Sequence, residues 1–210
     1  MITLYGIPGS ASLAPHILLE EAGAGHEFVV PTRDGPDAGP PEFLTASPHR
    51  QVPAMIDGDV RLTEAAAICM HITDRHPERQ LGPPVGDPAR GEWYRWLVYL
   101  SNTPQPALYQ YIYPERYTTA PDQVDATKWL ADAKLGAIWD WIDGELADRE
   151  FLTGDGFTAA DAYLWMLGRW SRHQPRPAFA RPNIGAFWDR VANRPSVRRV
   201  IEQEELARVP

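Results

Sequence analysis

Two hydroxyls, Ser10 and Ser12, stand in the run Tyr5-Gly6-Ile7-Pro8-Gly9-Ser10-Ala11-Ser12, just ahead of a helical pattern. The start of a helix favours negative charge. A thiol bound there, with a free pKa near ~8.5, is only a few per cent ionised at pH 7. Bringing that pKa to about 6.5 takes about 2.7 kcal/mol of preferential stabilisation of the thiolate. One hydrogen bond to a charged acceptor supplies about 1.5–3 kcal/mol, and a helix N-terminus adds roughly 0.3–1 kcal/mol. A single well-placed serine is therefore enough. Ser12 equally suits a plain N-cap, Ser10 a loop, and Tyr5 a strand residue packed in the core.

Two further runs carry polar backbone or charge in useful places. In Gln51-Val52-Pro53-Ala54 a proline opens a strand after a polar loop, a position that suits a cis peptide bond. Such a bond would turn the backbone N–H and C=O of Val52 outward, where an extended peptide could pair with them. The plain alternative is a trans proline at a strand start. In Thr63-Glu64-Ala65, directly before an apolar helix, backbone N–H groups would attract a carboxylate and Glu64 an ammonium group. That combination suits the head group of an α-amino acid; helix capping is the structural alternative.

The elements that must position these runs follow from periodicity. Ile2–Tyr5 reads as a strand, Leu13–Ala22 as a helix with Ser12 as N-cap and Gly23 as stop, and residues 27–30 as a second strand. Residues 31–41, rich in Gly, Pro and Asp, read as a loop. Residues 52–56 and 60–62 form a hairpin around Asp57-Gly58, and Thr63 caps a helix over 64–76. The order β-α-β then β-β-α fills residues 1–78; residues 79–87 read as a linker. From 88 to 210 every pattern is helical, roughly 88–112, 122–149, 158–172, 183–194 and 196–207, which implies an all-α bundle.

Composition excludes several classes. The 210 residues carry a formal charge of −8, unsuited to non-specific nucleic-acid binding. No apolar run approaches the ~20 residues of a membrane span. The start, MITLYGIPGS, has neither a basic n-region nor a long apolar stretch and reads as a non-exported, cytoplasmic protein. The one cysteine, Cys69, excludes an internal disulfide and a Cys-x-x-Cys pair, and reads as a small core residue. The histidines (His16, His26, His49, His71, His76, His173) show no metal-ligand spacing, so no metal site is expected.

Taken together these runs resemble the glutathione transferase family over nearly the whole chain. Leu4-Tyr5-Gly6, Ser10 and Leu13-Ala14-Pro15-His16 look like its first strand, active-site loop and first helix. Ser47-Pro48-His49-Arg50-Gln51-Val52-Pro53-Ala54 looks like its Asn-Pro-x-x-x-Val-Pro segment, and Thr63-Glu64-Ala65-Ala66-Ala67-Ile68 is similar to its Glu-Ser-x-Ala-Ile segment. Phe157-Thr158-Ala159-Ala160-Asp161 resembles the family's capping box and hydrophobic staple.

The resemblance implies a thioredoxin-like α/β domain followed by an all-α domain, and a homodimer. It also implies glutathione as co-substrate and attack of its thiol on a small electrophilic, apolar compound. Ser10 or Ser12, with Tyr5 as a third candidate, would stabilise the thiolate; the cysteine that precedes Ser-Leu-Ala-Pro-His in the bacterial beta class is Ala11 here. Val52, beside Pro53, would pair with the cysteinyl backbone, Glu64 and Ala65 would hold the γ-glutamyl end, and Arg50 or Gln51 would meet the glycyl carboxylate. Ala65 replaces the usual serine. In the family the second substrate lies between the domains, against the first long helix of the bundle; Tyr99, Asn102 and Tyr109 are the candidates there. The other functions open to such a chain are a non-catalytic binding or interaction protein, or a glutathione-dependent isomerase, dehalogenase or peroxidase.

Overall fold

The computed structural model describes residues 1–32, 39–154, 156–207 and 209. Of the loop expected over 31–41, residues 33–38 lie outside the described residues. Contacts divide the chain into two compact units: residues 1–90 together with those from 192 onward, and residues 91–191.

The first unit is built on a four-stranded sheet in the order β2-β1-β3-β4. Its strands are β1 (Ile2–Tyr5), β2 (His26–Val29), β3 (Ala54–Asp57) and β4 (Val60–Thr63). β1 pairs parallel with β2 and antiparallel with β3, and β3 pairs antiparallel with β4. This is the thioredoxin-like arrangement expected from the sequence. A parallel β1–β2 pair needs a crossover, which α1 (Leu13–Ala22) supplies before Gly23, at φ 64, stops it in the left-handed conformation. Antiparallel β3 and β4 need only a tight turn at Gly58.

Two helices complete the sheet's connections. The short α2 (Pro41–Ala46) begins at the end of the expected loop, with a proline in its first turn, where no N–H is needed. The longer α3 (Ala65–Arg75) packs on α1. Here the sequence expectation is corrected: Thr63 does not cap α3 but ends β4 opposite Ala54, and Glu64 takes the cap position.

The last helix, α9 (Pro195–Gln203), packs on the other flank of α1. With α3 and α9 against it, α1 is buried almost all round, which explains its weak amphipathicity. Arg194 forks onto both carboxylate oxygens of Glu21, at 2.5 and 3.0 Å, and Ser196 donates to the same group. These bonds hold the Glu21 carboxyl below its usual range against the opposing effect of burial.

The second unit holds α4 (Arg90–Asn102), α5 (Pro104–Ile112), α6 (Val124–Glu145), α7 (Ala159–Trp170) and α8 (Pro182–Ala192). The single helix expected over 88–112 is in fact two. Thr103 still donates to the Tyr99 carbonyl at 2.8 Å, at φ −118 and ψ −69, but Pro104 has no N–H to continue the ladder, so α5 restarts there. Every residue of α7 is buried, so it forms the centre of this unit. No helix among the described residues is long and apolar enough to cross a membrane.

Candidate functional site

Sheet register brings the three runs to one place. Tyr5 ends β1 opposite Ala54, and Ala54 lies opposite Thr63. The chain therefore leaves β1 into residues 6–12, enters β3 from Val52-Pro53, and leaves β4 into Glu64-Ala65, all at one end of the sheet. Two strand spacings separate the outermost of these, about 10 Å. The runs are far apart in sequence and adjacent in space.

In the first run, Gly6 donates to the Val29 carbonyl at 3.0 Å and Ser10 to that of Ile7 at 2.9 Å. A Cβ on Gly6 would lie 2.5 Å from both the Phe28 ring and Ser12 Cβ, so glycine lets the loop press against α1. Gly6→Ala is expected to cost about 1–3 kcal/mol through overpacking. A thermal melt with unchanged midpoint would remove that contact from the account.

The two serines are hydrogen-bonded to each other but differ in access. Their Oγ atoms are 3.0 Å apart, and Ser12 N–H donates to Ser10 Oγ at 3.3 Å. Ser12 is fully buried, and its hydroxyl donates to the Ile7 carbonyl at 3.2 Å. It occupies the N-cap position, yet its side chain caps nothing. Ser10 is half-buried at the start of α1. Of the two, only Ser10 is partly exposed.

A residue from the far end of the chain holds this loop. Glu204, just beyond α9, is 4 % exposed. Its Oε2 accepts the Gly9 N–H at 2.7 Å, and its Oε1 accepts Nδ1–H of the buried His16 at 2.8 Å. Nothing in the local sequence announces this contact.

The second and third runs present backbone. The Val52–Pro53 bond is cis. Pro53 is buried, Val52 is half-buried against the cluster of Tyr5, Phe43, Ala46 and Ala54, and Arg50 and Gln51 are exposed. Among the described residues Val52 makes no backbone hydrogen bond, which leaves its N–H and C=O for a ligand. Glu64 is exposed at φ 67, ψ 109. For a residue with a Cβ that conformation costs on the order of 1–3 kcal/mol, and such outliers cluster at ligand sites. The first bond of α3 runs from Ile68 N–H to the Glu64 carbonyl, and no side chain caps the helix. The N–H groups of Ala65, Ala66 and Ala67 thus form an open anion-binding end.

The remaining candidates are spread more widely. Tyr5 is 5 % exposed and packs on Phe43 with ring centroids 5.2 Å apart. Burial first, then the Glu42 and Glu27 carboxylates, push its phenol above the ordinary value. Cys69 is fully buried, and burial pushes its thiol up, as suits an unreactive core residue. In the second unit Tyr99 packs on Trp96 and Trp141, whereas Tyr109 packs on Tyr113 and Trp170. Asn102 is exposed at the end of α4.

Comparison with known proteins gives the family. The family model for the glutathione S-transferase N-terminal domain matches residues 1–74, and that for the C-terminal domain matches residues 110–202. Glutathione S-transferase GstA of Escherichia coli O157:H7 is 31 % identical over 205 residues, 97 % of this chain and 98 % of that protein. A beta-class glutathione S-transferase of Sphingomonas chungbukensis superposes with a TM-score of 0.85 at 32 % identity, covering 98 % of this chain and all of that one. A sphingomonad glutathione S-transferase complexed with glutathione has the same TM-score, identity and coverage.

Proposed function

The chain belongs to the glutathione S-transferase family, and from that premise we propose that it is a glutathione transferase whose Ser10 hydroxyl activates the glutathione thiol for attack on a small electrophilic, apolar compound. The carrying observation is the convergence of an accessible Ser10 hydroxyl, the unpaired backbone of Val52 and the uncapped start of α3 at one end of the sheet. An extended tripeptide fits that span. Its cysteinyl backbone pairs with Val52 by strand addition. Its γ-glutamyl carboxylate meets the Ala65 N–H, its ammonium group meets Glu64, and Arg50 or Gln51 meets the glycyl carboxylate. The thiol proton passes to solvent, the thiolate accepts a hydrogen bond from Ser10, and a sulfur lone pair forms the new bond to the electrophile while a leaving group departs with its bonding pair or, in an addition, a π pair shifts outward and takes a proton from solvent. Ser12 supports Ser10 from behind.

On this reading residues 1–78 carry glutathione, 79–87 link, and 88–210 supply the electrophile's pocket, with Tyr99, Asn102 and Tyr109 among its lining. The working form is a cytoplasmic homodimer, and sedimentation at micromolar concentration should give twice the 23.6 kDa chain mass.

Ser10→Ala tests the mechanism. Losing one hydrogen bond to a charged sulfur, about 1.5–3 kcal/mol, should lower kcat/KM with a generic electrophile at pH 7 roughly 10–100-fold. The pKa of the bound thiol should rise in parallel. If Ser10→Ala and Ser12→Ala both leave the rate unchanged, serine activation is wrong. Ala11 and Ala65 favour a second reading, a non-catalytic scaffold; calorimetry that finds no binding at millimolar glutathione would select it. Assays for isomerase, dehalogenase and peroxidase activity with glutathione separate the remaining chemistries.

A further inference from the structure

A cavity of about 500 Å³ in the first unit is lined by His16, Glu20, His26, Phe28 and Gln203, with the Gly23–Gly25 turn along one side. One ring nitrogen from each histidine and one oxygen of Glu20 lie within 4.8 Å of one another. His16 and Glu20 are four residues apart on α1, so they share a face. The tight turn after Gly23 returns the chain so that His26 opens β2 beside them.

The hydrogen bonds around these groups aim their lone pairs. His26 Nδ1 is 2.9 Å from the Ala24 carbonyl, which only accepts, so Nδ1 carries a proton and the lone pair of the neutral imidazole is the one on Nε2. His16 Nδ1 donates to the Glu204 carboxylate at 2.8 Å, which leaves Nε2 free in the same way. A backbone carbonyl and a carboxylate are the outer partners that metal-ligating histidines characteristically have. His16 is also fixed by stacking on Phe28, with centroids 4.7 Å apart and planes 6° from parallel. Glu20 is held by Arg199, which donates to Oε2 at 2.8 Å, and by Gln203, which donates at 3.0 Å to Oε1, the oxygen nearer His26. His26 Nε2 stands 4.0 Å from Glu20 Oε1, too long for a direct bond and close to the distance across a shared ion.

We infer that His16 Nε2, His26 Nε2 and a Glu20 oxygen form a binding site for one divalent transition-metal ion of the zinc type. Two histidines and one carboxylate, with a solvent molecule in the fourth position, are a ligand set that zinc accepts. Bonds of about 2.0–2.1 Å set ligand atoms roughly 3.4 Å apart in a tetrahedron. Small side-chain rotations of Glu20 and His26 close that difference. The Arg199 charge beside Glu20 weakens the site, and it makes the Glu20–Arg199 pair the competitor that the ion must displace or share.

The test is titration of the full, metal-stripped chain with Zn²⁺ in glutathione-free buffer, because the glutathione thiol itself ligates zinc. One ion per chain is expected, with affinity falling at least tenfold in His26→Gln and in Glu20→Gln and unchanged in His49→Gln. Equal zinc binding by the wild type and His26→Gln would overturn the site, as would no binding at all. Co²⁺ added to the unaltered chain gives a readout that needs no variant. Intense visible absorption from a four- or five-coordinate ion is expected, and the weak spectrum of the hexaaqua ion overturns the proposal.

Discussion

Replacing Asp161 with alanine is expected to destabilise the second unit by about 3–5 kcal/mol. Asp161 is fully buried at the start of α7. Its Oδ2 accepts the Thr158 N–H at 2.7 Å and the Thr158 hydroxyl at 2.8 Å, and its Oδ1 accepts the Leu152 N–H at 2.8 Å. One side chain thus caps the central helix and ties down the segment before it. Alanine leaves two buried backbone N–H groups without an acceptor, each costing about 1–3 kcal/mol, and opens a small void besides. A denaturation midpoint within experimental error of the wild type would mean that the donors find other partners.

The same residue carries a pH signature. Burial, opposed by the hydrogen bonds from Leu152 and Thr158, pushes its carboxyl up to about 6 from an ordinary 3.8. The folded state therefore holds this proton more tightly than the unfolded state between those values. The stabilisation from that shift is full below about pH 4 and is lost as pH rises through about 6. The margin of the wild type over Asp161→Ala should shrink across that window. Glu20, Glu21, Asp57 and Glu92 have lowered values, so their contribution is present above the ordinary carboxylate range and is lost only in stronger acid.

The parts of this molecule legible in its sequence are those set by neighbours along the chain. The β-α-β and β-β-α order, the stop at Gly23 and the Thr158–Asp161 cap all follow from spacings of a few residues. The three runs of the candidate site are legible for the same reason, since antiparallel and parallel pairing gathers strand ends without further instruction. What sequence conceals is backbone that departs from a residue's preference and contact across the whole chain. Nothing in the letter Glu predicts φ 67 at Glu64, and Thr63 looks like an N-cap until its pairing with Ala54 takes it into the sheet. Pro104 suits both the first turn of a new helix and the pattern of an old one, so the α4–α5 break is ambiguous in sequence. The His16–Glu20 spacing is visible on α1. A search for metal ligands among histidines and cysteines alone passes over it, and His26 joins only through the fold.

Glu204 is the clearest case of long-range placement, and its loss should be felt at two levels. It lies 188 residues from His16 and 195 from Gly9, and bonds to both. Glu204→Ala removes a buried carboxylate that accepts two hydrogen bonds, one from the His16 imidazole and one from the Gly9 N–H. Each buried donor that loses its acceptor costs about 1–3 kcal/mol. Glu204→Gln keeps the shape and one good acceptor, so its cost should be clearly smaller. The second level is functional. Gly9 immediately precedes Ser10, so freeing its N–H loosens the residue that carries the proposed thiol-stabilising hydroxyl. Glu204→Gln is therefore expected to raise the pKa of bound glutathione, measured by the thiolate's ultraviolet absorption, even where the protein is fully folded. A fold that weakens while the thiol pKa stays fixed would confine Glu204 to buttressing α1. A thiol pKa that moves with little loss of stability would make the chain's last turn a positioning element for its first loop.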